Sequence, residues 1–115
     1  MWLPQLPQMA YASSNGALLS AMYYMARELG PDKIRVNMVI PTWMWGPPVE
    51  AYVKQAARQQ SRSEGEVVAD ITANMPLGEI PADEDVAEAV AFLASDRARM
   101  ITGQSLLVNA GELMR

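Results

Sequence analysis

Leu18, Met22, Met25 and Leu29 recur at spacings of four, three and four, which predicts a helix from about Ala10 to Leu29. Gly30 and Pro31 are expected to end it, since glycine accepts a left-handed cap and proline cannot continue the helix. The next apolar run, Ile34-Arg35-Val36-Asn37-Met38-Val39-Ile40, is short, rich in β-branched residues and almost continuously apolar towards its end, which predicts a buried strand. Pro41-Thr42-Trp43-Met44-Trp45-Gly46-Pro47-Pro48 is predicted to be an irregular loop, because its prolines fix the backbone and withhold donors. From Val49 a weakly amphipathic helix bearing Val49, Tyr52, Val53 and Ala56 is expected to reach about Gln60. Ser63-Glu64-Gly65-Glu66 has capping-box spacing for another helix, with Val67, Ile71 and Met75 on one face and Pro76 as its stop. Asp83, Glu84 and Asp85 complement the dipole at a further helix start, where Val86, Val90 and Leu93 follow on one face and Ser95-Asp96 closes the segment. Thr102-Gly103 reads as a turn, and Ser105-Leu106-Leu107-Val108-Asn109 as a second short strand.

The predicted order is helix, strand, helical insert over about 42–80, helix and strand. A strand, a crossover helix and a second strand imply a parallel pair joined right-handedly, so the fold class is α/β, as in one unit of a doubly wound sheet. Sheets usually have about five or six strands. One edge of this pair is therefore expected to seek a neighbour.

Composition narrows the chemistry. The 115 residues include no cysteine and no histidine, which removes thiol nucleophiles, serine–histidine triads, disulfides and histidine-bearing metal sites, and no metal site is expected. Thirteen acidic side chains against nine basic ones give a formal charge of −4, which argues against nucleic-acid or anionic-membrane partners. Half the residues are apolar, enough for a packed core. Met1 to Ala10 has no basic residue and is interrupted by Pro4 and Pro7, unlike a signal peptide. The longest apolar stretch, Ala17 to Ala26, is broken by Ser20 and falls short of the roughly 20 residues of a membrane span. A cytoplasmic, reducing location is the expectation.

Four phrases carry a resemblance: Tyr11-Ala-Ser-Ser-Asn15-Gly-Ala-Leu; Glu28-Leu-Gly-Pro-Asp-Lys-Ile-Arg-Val-Asn-Met-Val-Ile-Pro41; Asp85-Val-Ala-Glu-Ala-Val-Ala-Phe-Leu-Ala-Ser-Asp96; and Ile101-Thr-Gly-Gln-Ser-Leu-Leu-Val-Asn-Ala-Gly111. In this order and spacing the chain resembles the C-terminal half of a short-chain dehydrogenase/reductase, from Ala10 to Gly111. The resemblance implies that residues 1–115 form one partial domain, the C-terminal part of a Rossmann-type parallel sheet with two strands and flanking helices. It implies NAD(P)-dependent hydride transfer between a nicotinamide ring and a carbonyl or alcohol carbon, with NAD or NADP as cofactor and Tyr11 as the catalytic proton donor or acceptor.

The family's tyrosine is followed four residues later by lysine. Residues so spaced share one helix face about 5–6 Å apart at Cβ, so a cation there lowers the phenol's pKa from about 10 and holds the cofactor ribose. Here that position is Asn15, which offers hydrogen bonds without charge. Only two lysines occur, Lys33 and Lys54, neither near Tyr11 in sequence; Tyr23 and Arg27 repeat the spacing, but an arginine near a helix end complements the dipole.

No Gly-x-Gly-x-x-Gly or Gly-x-x-x-Gly-x-Gly occurs in the 115 residues, so this chain alone is not expected to bind a dinucleotide. The resemblance places Pro41, Thr42 and Met44 beside the cofactor, with Thr42 where the family has glycine, and puts Trp43 and Trp45 over the substrate, favouring a hydrophobic or bulky carbonyl or alcohol. A homo-oligomer, or pairing with an N-terminal half, is also expected. The alternative is a noncatalytic oligomerisation or interaction module derived from the family.

Overall fold

Alanine, leucine and methionine, all strong helix formers, dominate the segment that becomes helix α1, Met9–Leu29. The computed structural model describes residues 9–114, so the expectation for the segment holding Pro4 and Pro7 lies outside the described residues. They divide into two compact units, one of residues 9–38 with Arg99–Gln104, the other of Val39–Ala98 with residues 105–114.

In the first unit α1 runs into a 3-10 turn, Gly30–Asp32, and the left-handed residue is Lys33 at φ 61°, whose N–H donates to the Gly30 carbonyl at 2.9 Å. The cap expected at Gly30 is thus displaced by one tight turn, because Pro31 suits the opening position of such a turn. The expected apolar stripe is buried only in part. Met22 and Ala26 are buried, whereas Leu18 is 54% and Met25 40% exposed. Within this unit Ala26 fills the space above Gly103, and a Cβ built on that glycine would stand 3.5 Å from the Ala26 methyl.

Residues 34–37 are not strand, although the apolar run predicted one. One backbone bond remains, from the Gly103 N–H to the Val36 carbonyl at 2.7 Å, and side chains supply the rest of the pairing. The Asn37 amide donates to the Ile101 carbonyl at 2.9 Å and accepts from the Gln104 N–H at 3.1 Å, and the Val36 N–H donates to the Thr102 hydroxyl at 3.1 Å. Such bonds compete with a regular ladder, and the strand begins only at Met38.

Strands β1, Met38–Pro41, and β2, Ser105–Val108, form a parallel two-stranded sheet. Both are mostly half-buried rather than buried. Full burial of a parallel strand requires cover on both faces. Pro41 ends β1 instead of opening the loop, a strand-end position at which its missing N–H is tolerated.

Helix α2, Pro47–Gln60, starts at the two prolines expected to lie in the loop, because the first helical positions need no N–H partner. Helix α3, Glu64–Thr72, starts as its capping box predicts: the Ser63 hydroxyl accepts from the Glu66 N–H at 3.1 Å. Val53, Ala56, Ala57 and Val67 form the core between these helices, flanked by Val49, Val68 and Ile71. Tyr52, expected on the apolar face, is exposed. After α2, Arg62 pairs with Glu66 and Asp70. Its hydrogen bond holds the Asp70 carboxyl below the usual range, and hydrogen bonds from the Ser63 hydroxyl and the Ser63 backbone, followed by Arg62, do the same for Glu66.

Helix α4, Asp83–Ala94, is opened by Asp85, whose carboxylate accepts from the Ala82 N–H at 2.8 Å. Its half-buried positions are Val86, Ala89 and Leu93, while Val90 is exposed, so the buried stripe is rotated by one residue from the expected one. This helix packs against β2. Among the described residues no helix is long and apolar enough to cross a membrane.

Candidate active site

Tyr11 and Asn15 occupy the first turns of α1, in the first unit. Both are exposed, Tyr11 at 69%. The Ser14 hydroxyl donates back to the Tyr11 carbonyl at 2.9 Å, a bond within the helix that leaves the Tyr11 phenol unused. One turn apart on a regular helix, phenol and amide share a face. The pair can pass a proton and form neutral hydrogen bonds, and Asn15 adds no positive charge to favour a phenolate. Further along α1, Tyr23, Tyr24 and Arg27 border an open surface depression.

Pro41, Thr42, Trp43, Met44 and Trp45 lie in the second unit, where the segment after β1 is held from several directions. The Thr42 hydroxyl donates to Glu112 Oε2. The Trp43 ring lies 5.5 Å from that of Tyr52, centroid to centroid, tilted by 45°, a separation favourable for aromatic pairs. The Trp45 N–H donates to the Pro81 carbonyl at 2.7 Å, within a parallel bridge between Trp45 and Ala82. The backbone at Gly46 runs close under the Asp83 carboxylate: a Cβ there would stand 2.9 Å from Asp83 Oδ1. Irregular in dihedral terms, the segment is nevertheless tied down. It still presents Met44 and Trp45 to solvent.

Glu112 reaches Thr42 because of the turn after β2. Asn109 is buried, accepts from the Gly111 N–H at 3.0 Å and donates to the Leu113 carbonyl at 3.2 Å. Ala110 and Gly111 follow with φ of 53° and 85°. Parallel strands end at the same edge of their sheet, so the residue after β1 and the turn after β2 meet there. Such edges are where open α/β sheets place ligands. The contacts that Tyr52, Asn109 and Glu112 make at this edge were not legible in the sequence, yet the Asn-x-Gly spacing and the parallel order of the strands signalled the turn that carries the last two.

Comparison with known proteins decides the family. The enoyl-(acyl carrier protein) reductase family profile matches residues 3–112, nearly the whole chain. The chain belongs to the short-chain dehydrogenase/reductase family. It is 36% identical over 104 residues to carbonyl reductase (NADPH) 2 of Sus scrofa, covering 90% of this chain and 39% of that protein. It is also 36% identical over 107 residues to 3-oxoacyl-(acyl-carrier-protein) reductase FabG of Salmonella typhimurium, with 93% and 39% coverage. A short-chain dehydrogenase family protein of Francisella tularensis superposes with a TM-score of 0.88 at 26% identity, over 96% of this chain and 46% of that one. The chain therefore spans about two fifths of the length of these curated relatives. The α/β class and the parallel strand pair agree with the short-chain dehydrogenase/reductase fold.

Proposed function

We propose that this chain is the proton-transferring and substrate-covering portion of an NAD(P)-dependent oxidoreductase acting on a small-molecule carbonyl or alcohol. The observation that carries the reading is the exposed Tyr11 phenol, one helical turn from Asn15, in a chain of this family. In the reducing direction the Tyr11 hydroxyl gives its proton to the substrate's carbonyl oxygen, and in the oxidising direction the phenolate removes it from the alcohol. A nicotinamide cofactor, when bound, supplies or accepts the hydride.

The residues present fit the nicotinamide end of such a cofactor. Thr42 gives its hydroxyl proton to Glu112, which leaves oxygen lone pairs for an amide N–H, and Pro41 and Met44 provide backbone beside it. Asn15 offers an amide to ribose hydroxyls. The phosphate end is different, since the 115 residues hold no glycine-rich phosphate loop. Trp43 and Trp45 would line the substrate side and favour an apolar carbonyl compound. A cytoplasmic oligomer is part of the same reading.

The second reading, a noncatalytic interaction module, is favoured by the uncharged Asn15 and by the exposure of Leu18, Tyr23, Tyr24 and Met25 along α1. The two are separated by joining this chain behind the nucleotide-binding portion of porcine carbonyl reductase. The fusion is expected to consume NADPH or NADH in the presence of an aryl ketone. A fusion that folds and binds cofactor, yet turns over no carbonyl substrate even with Asn15→Lys, would favour the interaction module.

A further inference from the structure

The segment after β1 carries the residues assigned above to cofactor and substrate, and a single side-chain contact connects its first residue to the other end of the sheet's C-terminal edge. Thr42 Oγ1 donates to Glu112 Oε2 across 70 residues of sequence, in a partly buried setting. A hydroxyl has one proton; once that proton is committed to a carboxylate, the oxygen can only accept from any further partner. A hydrogen bond to an ionised acceptor is also stronger than a neutral one. The turn that carries this carboxylate is itself fixed. Asn109 closes the turn through its bonds to Gly111 and Leu113, and the Glu112 N–H donates to the Asn109 carbonyl at 3.0 Å. Next to Thr42, Trp43 rests against Tyr52 of α2.

We propose that Glu112 is a positioning residue: through the Thr42 hydroxyl it holds the segment from Thr42 to Trp45 in one conformation and fixes Thr42 as an acceptor towards the ligand. The consequence for catalysis rests on the proposed function, whereas the latch rests on geometry within one compact unit. Glu112 touches no substrate in this scheme. It acts through Thr42.

The test uses the 115-residue chain and the Trp43 indole N–H resonance, assigned by its disappearance in Trp43→Phe. Ring current from Tyr52, centred 5.5 Å from the Trp43 ring, is expected to displace that resonance as long as the latch holds. Thr42→Val and Glu112→Ala are each expected to shift it towards the position of an exposed indole, and the double variant to shift it no further, because both remove one interaction. Thr42→Ser, which keeps the hydroxyl, is expected to restore the native position. The methyl resonances of Val53 and Val67 between α2 and α3 are expected to stay in place, which separates positioning from general loss of fold. An indole resonance unmoved by both single variants, or single-variant shifts that simply add in the double, would overturn the latch. Inactivity of the fusion enzyme would count against the oxidoreductase reading and leave these shifts unchanged.

Discussion

Asn15→Lys is expected to raise carbonyl reduction by the fusion enzyme by about 10²- to 10⁴-fold, the range that positioned acid–base catalysis contributes. Tyr11 and residue 15 lie one turn apart on the exposed beginning of α1, so an ammonium at position 15 can approach the phenol without displacing a packed side chain. Opposite charge favours the ionised form of the tyrosine, and each unit of pKa lowering corresponds to about 1.4 kcal/mol. An amide offers only a neutral hydrogen bond. The effect should appear mainly in kcat, measured by steady-state oxidation of the reduced cofactor. A rate unchanged by the lysine would show that hydrogen bonding by Asn15 suffices.

The second large effect concerns the turn that carries Glu112. Gly111→Ala is expected to destabilise the chain by about 2–3 kcal/mol, because a residue with a Cβ is strained in the left-handed region. Gly111 has φ 85°, and an added Cβ would lie 3.0 Å from Pro76 Cγ and 3.1 Å from Pro76 Cδ. Proline cannot rotate away, so the backbone must shift. That shift would also disturb the Leu77 N–H bond to the Ala110 carbonyl, 3.1 Å long in the native turn. Urea unfolding measures the loss. Pro76→Ala combined with Gly111→Ala should recover the part due to the clash and none of the part due to φ, whereas native stability in Gly111→Ala alone would show that the turn is not constrained.

The order of elements and the parallel strand pair were legible because each rests on local chemistry. The apolar spacing marked α1, the Ser63–Glu66 pair marked α3, and the acidic cluster from Asp83 marked α4. What was not legible depends on interactions distant in sequence. Residues 34–37 have the composition of a strand, but Asn37 and Val36 bond to residues 101–104 through side chains, and β-structure is decided by such partners. Pro47 and Pro48 looked like loop because proline breaks helices, whereas at a helix start it costs no hydrogen bond.

The proposed site rests on two different kinds of signal. Tyr11 and Asn15 are neighbours by helical spacing, whereas the segment from Pro41 to Trp45 was singled out by its resemblance to the family's loop after a strand. The Glu112 contact was not recognisable, since the Asn109-x-Gly111 spacing announces a turn and not a partner at position 42. Only the meeting of two strand ends reveals it. Tyr52 was assigned to the wrong face because a weak apolar pattern allows more than one helix orientation, and its ring instead meets Trp43.

The most direct measurement is the turnover number of the fusion enzyme bearing Asn15→Lys, compared with and without Tyr11→Phe, together with cofactor affinity for both. If Tyr11 supplies the proton, loss of its hydroxyl lowers kcat by at least about 10²-fold while cofactor affinity stays the same. Equal turnover in the two enzymes would remove Tyr11 from the chemistry.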